Sequence, residues 1–418
     1  MIRKTVISLF VFLIIQLTEG QILSAQSTGA ADNQQAFMPV EMNNMTGKYK
    51  IISKDGTIKI PFEFYRNKFR FKAQINGKEC NMMLDNGSLW DELLFFGSRS
   101  VDSIGFKYSG ETSLGLNKAN VSTNITMGFD DVLFSDQTAI VTRYDPRLPN
   151  VWEGTDGQVS AAFFKNFVVM INFDRSEIEL IPPGKFHNTD NGQELMMKPG
   201  PFKSILVSAD IIMQNDTETK IDLLIDLGGY YPLYLPVGKD DKIILPSKKI
   251  ETTFGTGLQI QKGYVGRIKS IHLGKFSLEN ILTAFTLAGK EKNEYGNAMI
   301  GLPLLQRFNV IFDYFNHRVI IEPSKYFDNQ FKFNMSGLEL LPDLKGNLKV
   351  IKIYPDSPAV DSQIEVNDIV TKVNEKPVAD YKPGEIREIL MKEGESVYLD
   401  ILRNGQPERI KIKLRQIL

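Results

Sequence analysis

Apolar and polar residues alternate with a period of two along much of this chain, and that alternation predicts strands. Ile58-Lys59-Ile60-Pro61-Phe62-Glu63-Phe64 and Phe69-Arg70-Phe71-Lys72-Ala73-Gln74-Ile75 place every second side chain on one face, as half-buried strands do. Asn76-Gly77 is a hairpin turn signal. The next run, Met82-Met83-Leu84, is apolar throughout and predicts a buried strand that delivers Asp85-Asn86-Gly87-Ser88. Asp-x-Gly reads as a tight turn. A carboxylate at the end of a buried strand is costly unless it is paired or put to use. Val101 to Tyr144 is polar-rich with short β-like runs. Phe167 to Ile171 reads as another core strand, and Asp174-Arg175-Ser176 as the turn before Glu177-Ile178-Glu179-Leu180-Ile181.

The pattern then returns. Leu223-Leu224-Ile225 ends in Asp226-Leu227-Gly228-Gly229, so the two aspartates stand at an offset of 141 (226 less 85). The same offset relates Phe167 to Phe308 and Pro182 to Pro323. A single offset shared by the Asp-turns and the closing strands predicts two lobes of one fold, each contributing one aspartate. Ile205 to Ile211 and Lys220 to Ile225 repeat the strand–turn–strand opening. Gly184 to Phe202 reads as a linker, with turn chemistry over His187 to Gly192 and a break at Pro199-Gly200-Pro201. The first lobe is expected over 58–183, the linker over 184–203 and the second lobe over 204–325. Phe254-Gly255-Thr256-Gly257 and Gly263-Tyr264-Val265-Gly266 bracket a β-hairpin. Its glycines suit a mobile flap over a cleft, with Gly255, Thr256 and Gly257 at the tip, or an ordinary surface hairpin.

At 418 residues the chain has room for two or three domains. A net charge of −1 gives no support for nucleic-acid binding. The one cysteine, Cys80, excludes an intramolecular disulfide and reads as a packed small hydrophobe. Ile2-Arg3-Lys4 followed by the apolar run Thr5 to Leu17 reads as a signal peptide, 1–25, too short for a comfortable membrane span. The mature protein is therefore expected to be secreted or periplasmic, with no stable membrane span. A flexible, polar leader is expected over 26–57. His187, His272 and His317 show no metal-ligand spacing, and no metal or cofactor is expected.

The paired Asp-x-Gly turns are each followed at one interval by Ser160 or Gly301 (160 less 85 and 301 less 226 are both 75). They resemble the bilobal aspartic peptidases of retropepsin-like or pepsin-like type. Ile300-Gly301 and Leu304 to Tyr314 are similar to that family's closing segment, and the resemblance covers roughly Ile58 to Pro323. It implies a mainly β fold with a catalytic dyad of Asp85 and Asp226. The dyad would be supported by Asn86, Gly87 and Ser88 from one lobe and Leu227, Gly228 and Gly229 from the other. As in that family, the dyad would share a proton, one carboxylate acting as base on a water and the other polarising the peptide carbonyl. The family pattern carries a hydroxyl residue after each aspartate, where this chain has Asn86 and Leu227, and a glycine where it has Ser160. Asn86 retains a donor and an acceptor, and Leu227 has neither.

From Phe331 the pattern changes. Ser357-Pro358-Ala359 and Asn367-Asp368-Ile369-Val370 resemble a bacterial, protease-associated PDZ domain, expected over 331–418 as a partly open β-barrel with helices. Asn367 stands where the family usually has glycine, and asparagine is the next-best residue for a left-handed backbone. Pro383 to Leu390 would be its helix. The resemblance implies strand addition of an extended peptide, with Ser336, Gly337 and Leu338 as the loop that captures a terminal carboxylate. The expected partners are peptide or unfolded-protein substrates and protein C-termini. Two readings stand: an aspartic endopeptidase, or a degenerate relative that binds peptides in the interlobe cleft and the PDZ groove without cleaving them. The tetrad at Asp226 favours the second. Retention of both aspartates and their neighbouring glycines favours the first.

Overall fold

The computed structural model describes residues 48–51, 56–65, 68–86, 93–96, 99–114, 117–142, 154–160, 166–188, 191–200, 204–238, 241–254, 261–287, 298–343, 346–382 and 384–418. The signal segment, Gly87, Ser88 and the hairpin tip Gly255, Thr256 and Gly257 lie outside them. The chain is mainly β, with short helices.

The repeat seen in the sequence is written into the strand registers. In the first lobe Met82, Met83 and Leu84 run parallel to Gly157, Gln158 and Val159. In the second, Leu224, Ile225 and Asp226 run parallel to Met299, Ile300 and Gly301. At the offset of 141, Ile225 and Ile300 are the images of Leu84 and Val159. Each lobe then inserts a short strand, Leu93–Phe96 or Leu233–Val237, which is antiparallel to the second member of the pair. That strand is also parallel to a long hairpin strand, Val132–Thr142 or Phe276–Leu287. Chain reversal between strands is assisted where asparagine takes positive φ, as at Asn76 (φ 48°).

Between the lobes, Val168–Asn172 pairs antiparallel with Phe308–Asp313, Val169 opposite Phe312, Met170 opposite Ile311 and Ile171 opposite Val310. The same offset maps this set of pairs onto itself, so a local twofold axis passes between Met170 and Ile311. Glu177–Ile181 and Arg318–Pro323 flank this pair on either side. One apolar core, including Phe71, Phe167, Leu227, Phe285 and Phe312, runs through both lobes. Cys80 is buried in it, and burial pushes its thiol up to about 12, as suits a packed hydrophobe.

Two segments differ from the sequence expectation. The linker is more than a turn: Gln193–Met196 pairs with Arg318–Ile321 and forms the outer strand of the central sheet. Part of the leader is also strand, since Lys48–Ile51 pairs with Val132–Ser135. Polar composition hid both, because an outer strand needs only one hydrogen-bonded side.

The C-terminal segment forms a separate sheet of Leu338–Pro342, Leu348–Ile353, Ile369–Val373, Ser396–Arg403 and Gln406–Lys413. It has its own core of Val350, Val370, Leu399, Ile412 and their neighbours.

Asn309 ties the lobes together. Its Oδ1 accepts from the Phe173 N–H at 2.8 Å, and its Nδ2 donates to Asp174 Oδ2 at 2.6 Å. Asn309→Leu is expected to lower the unfolding free energy by about 1–3 kcal/mol, since the buried Phe173 amide loses its acceptor. A urea titration of the full chain measures it, and an unchanged midpoint would show that the tie is dispensable.

Candidate functional site: a carboxylate pair between the lobes

Each buried parallel strand delivers its aspartate to the same place. Asp85 follows Leu84, and its N–H donates to the Val159 carbonyl at 3.0 Å. Asp226 ends its strand and is buried. A Cβ built on Gly228 would lie 2.9 Å from Asp85 Oδ1 and 3.1 Å from Asp226 Oδ1, so both oxygens crowd one small space. Burial first, and the neighbouring Asp85 charge second, push Asp226 up to about 8. The Gly228 N–H, donating to Asp226 Oδ1 at 2.7 Å, opposes that rise. Asp226 therefore holds its proton well above the usual carboxylate range, beside a second carboxylate.

Asn86 bridges the two turns. Its Oδ1 accepts from the Leu227 N–H at 2.8 Å, and its Nδ2 donates to the Ile225 carbonyl at 3.0 Å. Both bonds cross from the first Asp-turn to the second. Leu227, lacking a polar group, packs into the core. Gly229 and Gly301 meet so closely that no side chain fits: a Cβ on Gly229 would lie 2.8 Å from the Gly301 Cα, and one on Gly301 would lie 2.2 Å from the Tyr231 carbonyl oxygen. The first-lobe image of Gly301 is Ser160, which is buried.

The surroundings contain groups that the sequence reading passed over. The Tyr234 hydroxyl accepts from the Tyr230 and Tyr231 N–H groups at 3.0 Å each and braces the loop after Asp226. Burial holds the Tyr234 phenol well above its usual range, so it stays neutral. Lys68 acts electrostatically on both aspartates. It stands one residue before the alternating run Phe69 to Ile75, and its nearness to Asp226 depends on the lobes meeting. The glycine-bracketed hairpin exists as Lys249–Phe254 and Gln261–Leu273. The first lobe has a matching one, Tyr108–Leu114 with Asn117–Phe129, where the sequence offered only short β-like runs. Among the described residues no three His, Cys, Asp or Glu side chains cluster to hold a metal. Nor is any helix there long and apolar enough to cross a membrane.

In the C-terminal segment Asn367 is left-handed, φ 80°, as its place before Asp368 predicts. Asp368 is buried; Arg403 outweighs that burial and holds its carboxyl below the usual range, with bonds of 3.0 and 2.7 Å. Residues 334–414 match the family model for the PDZ domain. This segment is a PDZ domain. A search of the curated proteins finds no match to the chain. Among solved structures the chain is similar to an aspartic proteinase from Irpex lacteus, at 10% identity and a TM-score of 0.44, over 65% of this chain and 99% of that one.

The PDZ loop expected to grip a carboxylate is filled from within. The Ser336 and Gly337 N–H groups donate to Asn334 Oδ1 at 2.8 and 3.1 Å, and the Leu338 N–H donates to Ser336 Oγ at 3.1 Å. The PDZ domain also touches the second lobe beside the carboxylate pair. The Arg387 guanidinium lies 4.8 Å from the centre of the Tyr230 ring, in the loop that follows Asp226. Lys352 Nζ donates to the Glu251 carbonyl and Thr252 Oγ1, both at 3.2 Å, on the glycine-bracketed hairpin.

Asn86→Ala removes both cross-loop bonds and strands a buried N–H and a buried carbonyl. The expected loss is about 2–4 kcal/mol of stability. Asn86→Thr, which keeps one acceptor, is expected to fall between. Chemical denaturation of the three proteins gives the order, and equal midpoints would remove Asn86 from its bridging role.

Proposed function

We propose that this chain is an aspartic-type endopeptidase, secreted or periplasmic, that hydrolyses peptide bonds of extended or unfolded substrates. The observation that carries the reading is the carboxylate pair: two aspartates from equivalent turns of two repeated lobes, with an oxygen of each beside the same small space at Gly228. Asp226 is the protonated member and Asp85 the base. Asp85 takes a proton from a water whose oxygen attacks the peptide carbonyl carbon, while the Asp226 proton passes to the carbonyl oxygen. The tetrahedral intermediate then collapses. A proton returns to the amide nitrogen, the C–N bond breaks, and a carboxyl and an amine leave. No cofactor enters this sequence. Secretion rests on the basic and apolar residues at the N-terminus.

A second reading, peptide binding without cleavage, draws on Leu227, which leaves the second Asp-turn without a side-chain donor. One assay separates the two. The protein beginning at Gln26 is incubated with a peptide library from acid to weakly alkaline pH, beside Asp85→Asn and Asp226→Asn. The peptidase reading expects cleavage that each variant lowers by about 1000-fold or more, the scale of a lost general acid or base. It also expects a rate that falls as pH rises through about 8, where Asp226 loses the proton it must donate. Peptide retained but uncut at every pH establishes the binding protein instead.

For the PDZ domain, we propose recognition along the outermost strand Leu338–Pro342 rather than through a terminal carboxylate. That strand is outermost in its sheet and pairs with Leu348–Ile353 alone among the described residues. Its loop amides already have acceptors. A peptide with a free C-terminus and its amidated form are expected to bind within about threefold of each other by calorimetry, as backbone pairing dominates. A tenfold or larger loss on amidation would return the carboxylate to the leading role.

A further inference from the structure

Lys68 begins the strand Lys68–Ile75, which pairs antiparallel with Lys78–Leu84, Arg70 opposite Met83 and Phe71 opposite Met82. The paired register ends at Arg70 and Met83, so Lys68, two residues before Arg70, and Asp85, two residues after Met83, lie at the same end of these neighbouring strands. Neighbouring strands lie about 4.7–4.9 Å apart, a separation that a lysine side chain can span. Lys68 is half-buried. Burial pushes its ammonium down from the usual lysine range, and Asp85 and Asp226 both pull it back up. The effect is mutual, since Lys68 draws Asp226 downward against burial and the Asp85 charge.

Arg70, next on the same face, is bonded to Glu63 on the neighbouring strand and to the Gly154 carbonyl. Tyr234 faces Asp226 from the second lobe as a neutral phenol. Among the described residues, Asp85 from the first lobe and Asp226 from the second act on Lys68. Their Asp-turns are unequal: Asn86 bonds across to the other turn, whereas Leu227 contributes an apolar chain.

We propose that Lys68 is a positioning residue of the carboxylate pair, a built-in counter-cation that eases the first ionisation and so keeps one negative charge on the pair in mildly acid and neutral solution. An ammonium across the ladder supplies electrostatically part of what the missing hydroxyl after Asp226 cannot supply by hydrogen bonding. Lys68 acts as a charge and exchanges no proton with substrate. The inference rests on the reading of Asp85 and Asp226 as one proton-sharing unit.

The test uses the full mature chain and does not need cleavage. The protonated carboxyl stretch is followed by infrared titration and assigned to the pair by its loss in Asp226→Asn. Lys68→Met, which keeps the stem and removes the charge, is expected to move the midpoint up by about one unit or more, because removing a nearby cation favours the protonated form. Lys68→Arg is expected to titrate within a few tenths of the wild type. If the wild type cleaves peptides, both limbs of the Met variant's pH–rate profile move upward together. Lys68→Gln reads the same loss of charge should the Met variant not fold. An unmoved band in either folded variant overturns the inference. A wild type that cleaves no peptide overturns the peptidase reading alone, and the band shift then still decides whether Lys68 sets the charge of the pair.

Discussion

Two carboxylates share one desolvated space between the lobes, and the rest of the structure can be understood from that constraint. Like charges so close do not ionise together readily, and burial of Asp226 sharpens the conflict. A polypeptide relaxes such a conflict by moving the groups apart unless the backbone prevents it. Here the backbone does prevent it. Each aspartate sits at the end of a strand locked in a parallel pair, and the two pairs are images of each other about an axis between Met170 and Ile311. The closeness of Gly229 to Gly301 keeps the second turn tight against its supporting strand.

The twofold symmetry is broken at the carboxylate pair. In the first turn Asn86 both donates and accepts across the interface. In the second, the equivalent Leu227 adds apolar packing instead. Lys68 adds a charge from the first lobe, while Tyr234 braces the loop of the second. The two carboxylates therefore differ in environment although their strands do not. Unequal environments are what separate a proton donor from a base.

The PDZ domain is placed where it touches this arrangement. Arg387 lies against Tyr230 in the loop that carries Asp226, and Lys352 holds the backbone of the glycine-bracketed hairpin. The apolar core of the lobes also takes in Phe331, Phe333, Tyr354, Ile417 and Leu418 from the C-terminal segment. These contacts make the domain a neighbour of the site rather than a distant appendage on a linker.

Much of this was legible in the residues. Period-two alternation marked the strands around Ile58, Phe69 and Ile205. The offset of 141 between equivalent residues revealed the duplication and singled out Asp85 and Asp226, because repeated folds repeat their buried patterns. Asn367 announced its left-handed turn. Other features had no local signature. The outer strand Gln193–Met196 read as linker, since polar residues suit an edge as well as a loop. The internal filling of the loop at Ser336 depends on where Asn334 turns its side chain. The reach of Lys68 to Asp226 and of Asn86 to Ile225 and Leu227 joins parts of the chain that lie far apart in sequence. The sequence by itself determined which residues could bury, turn and ionise. Only the tertiary structure decided which of them meet, because hydrogen bonds and charge coupling act over a few ångströms in space whatever the separation along the chain.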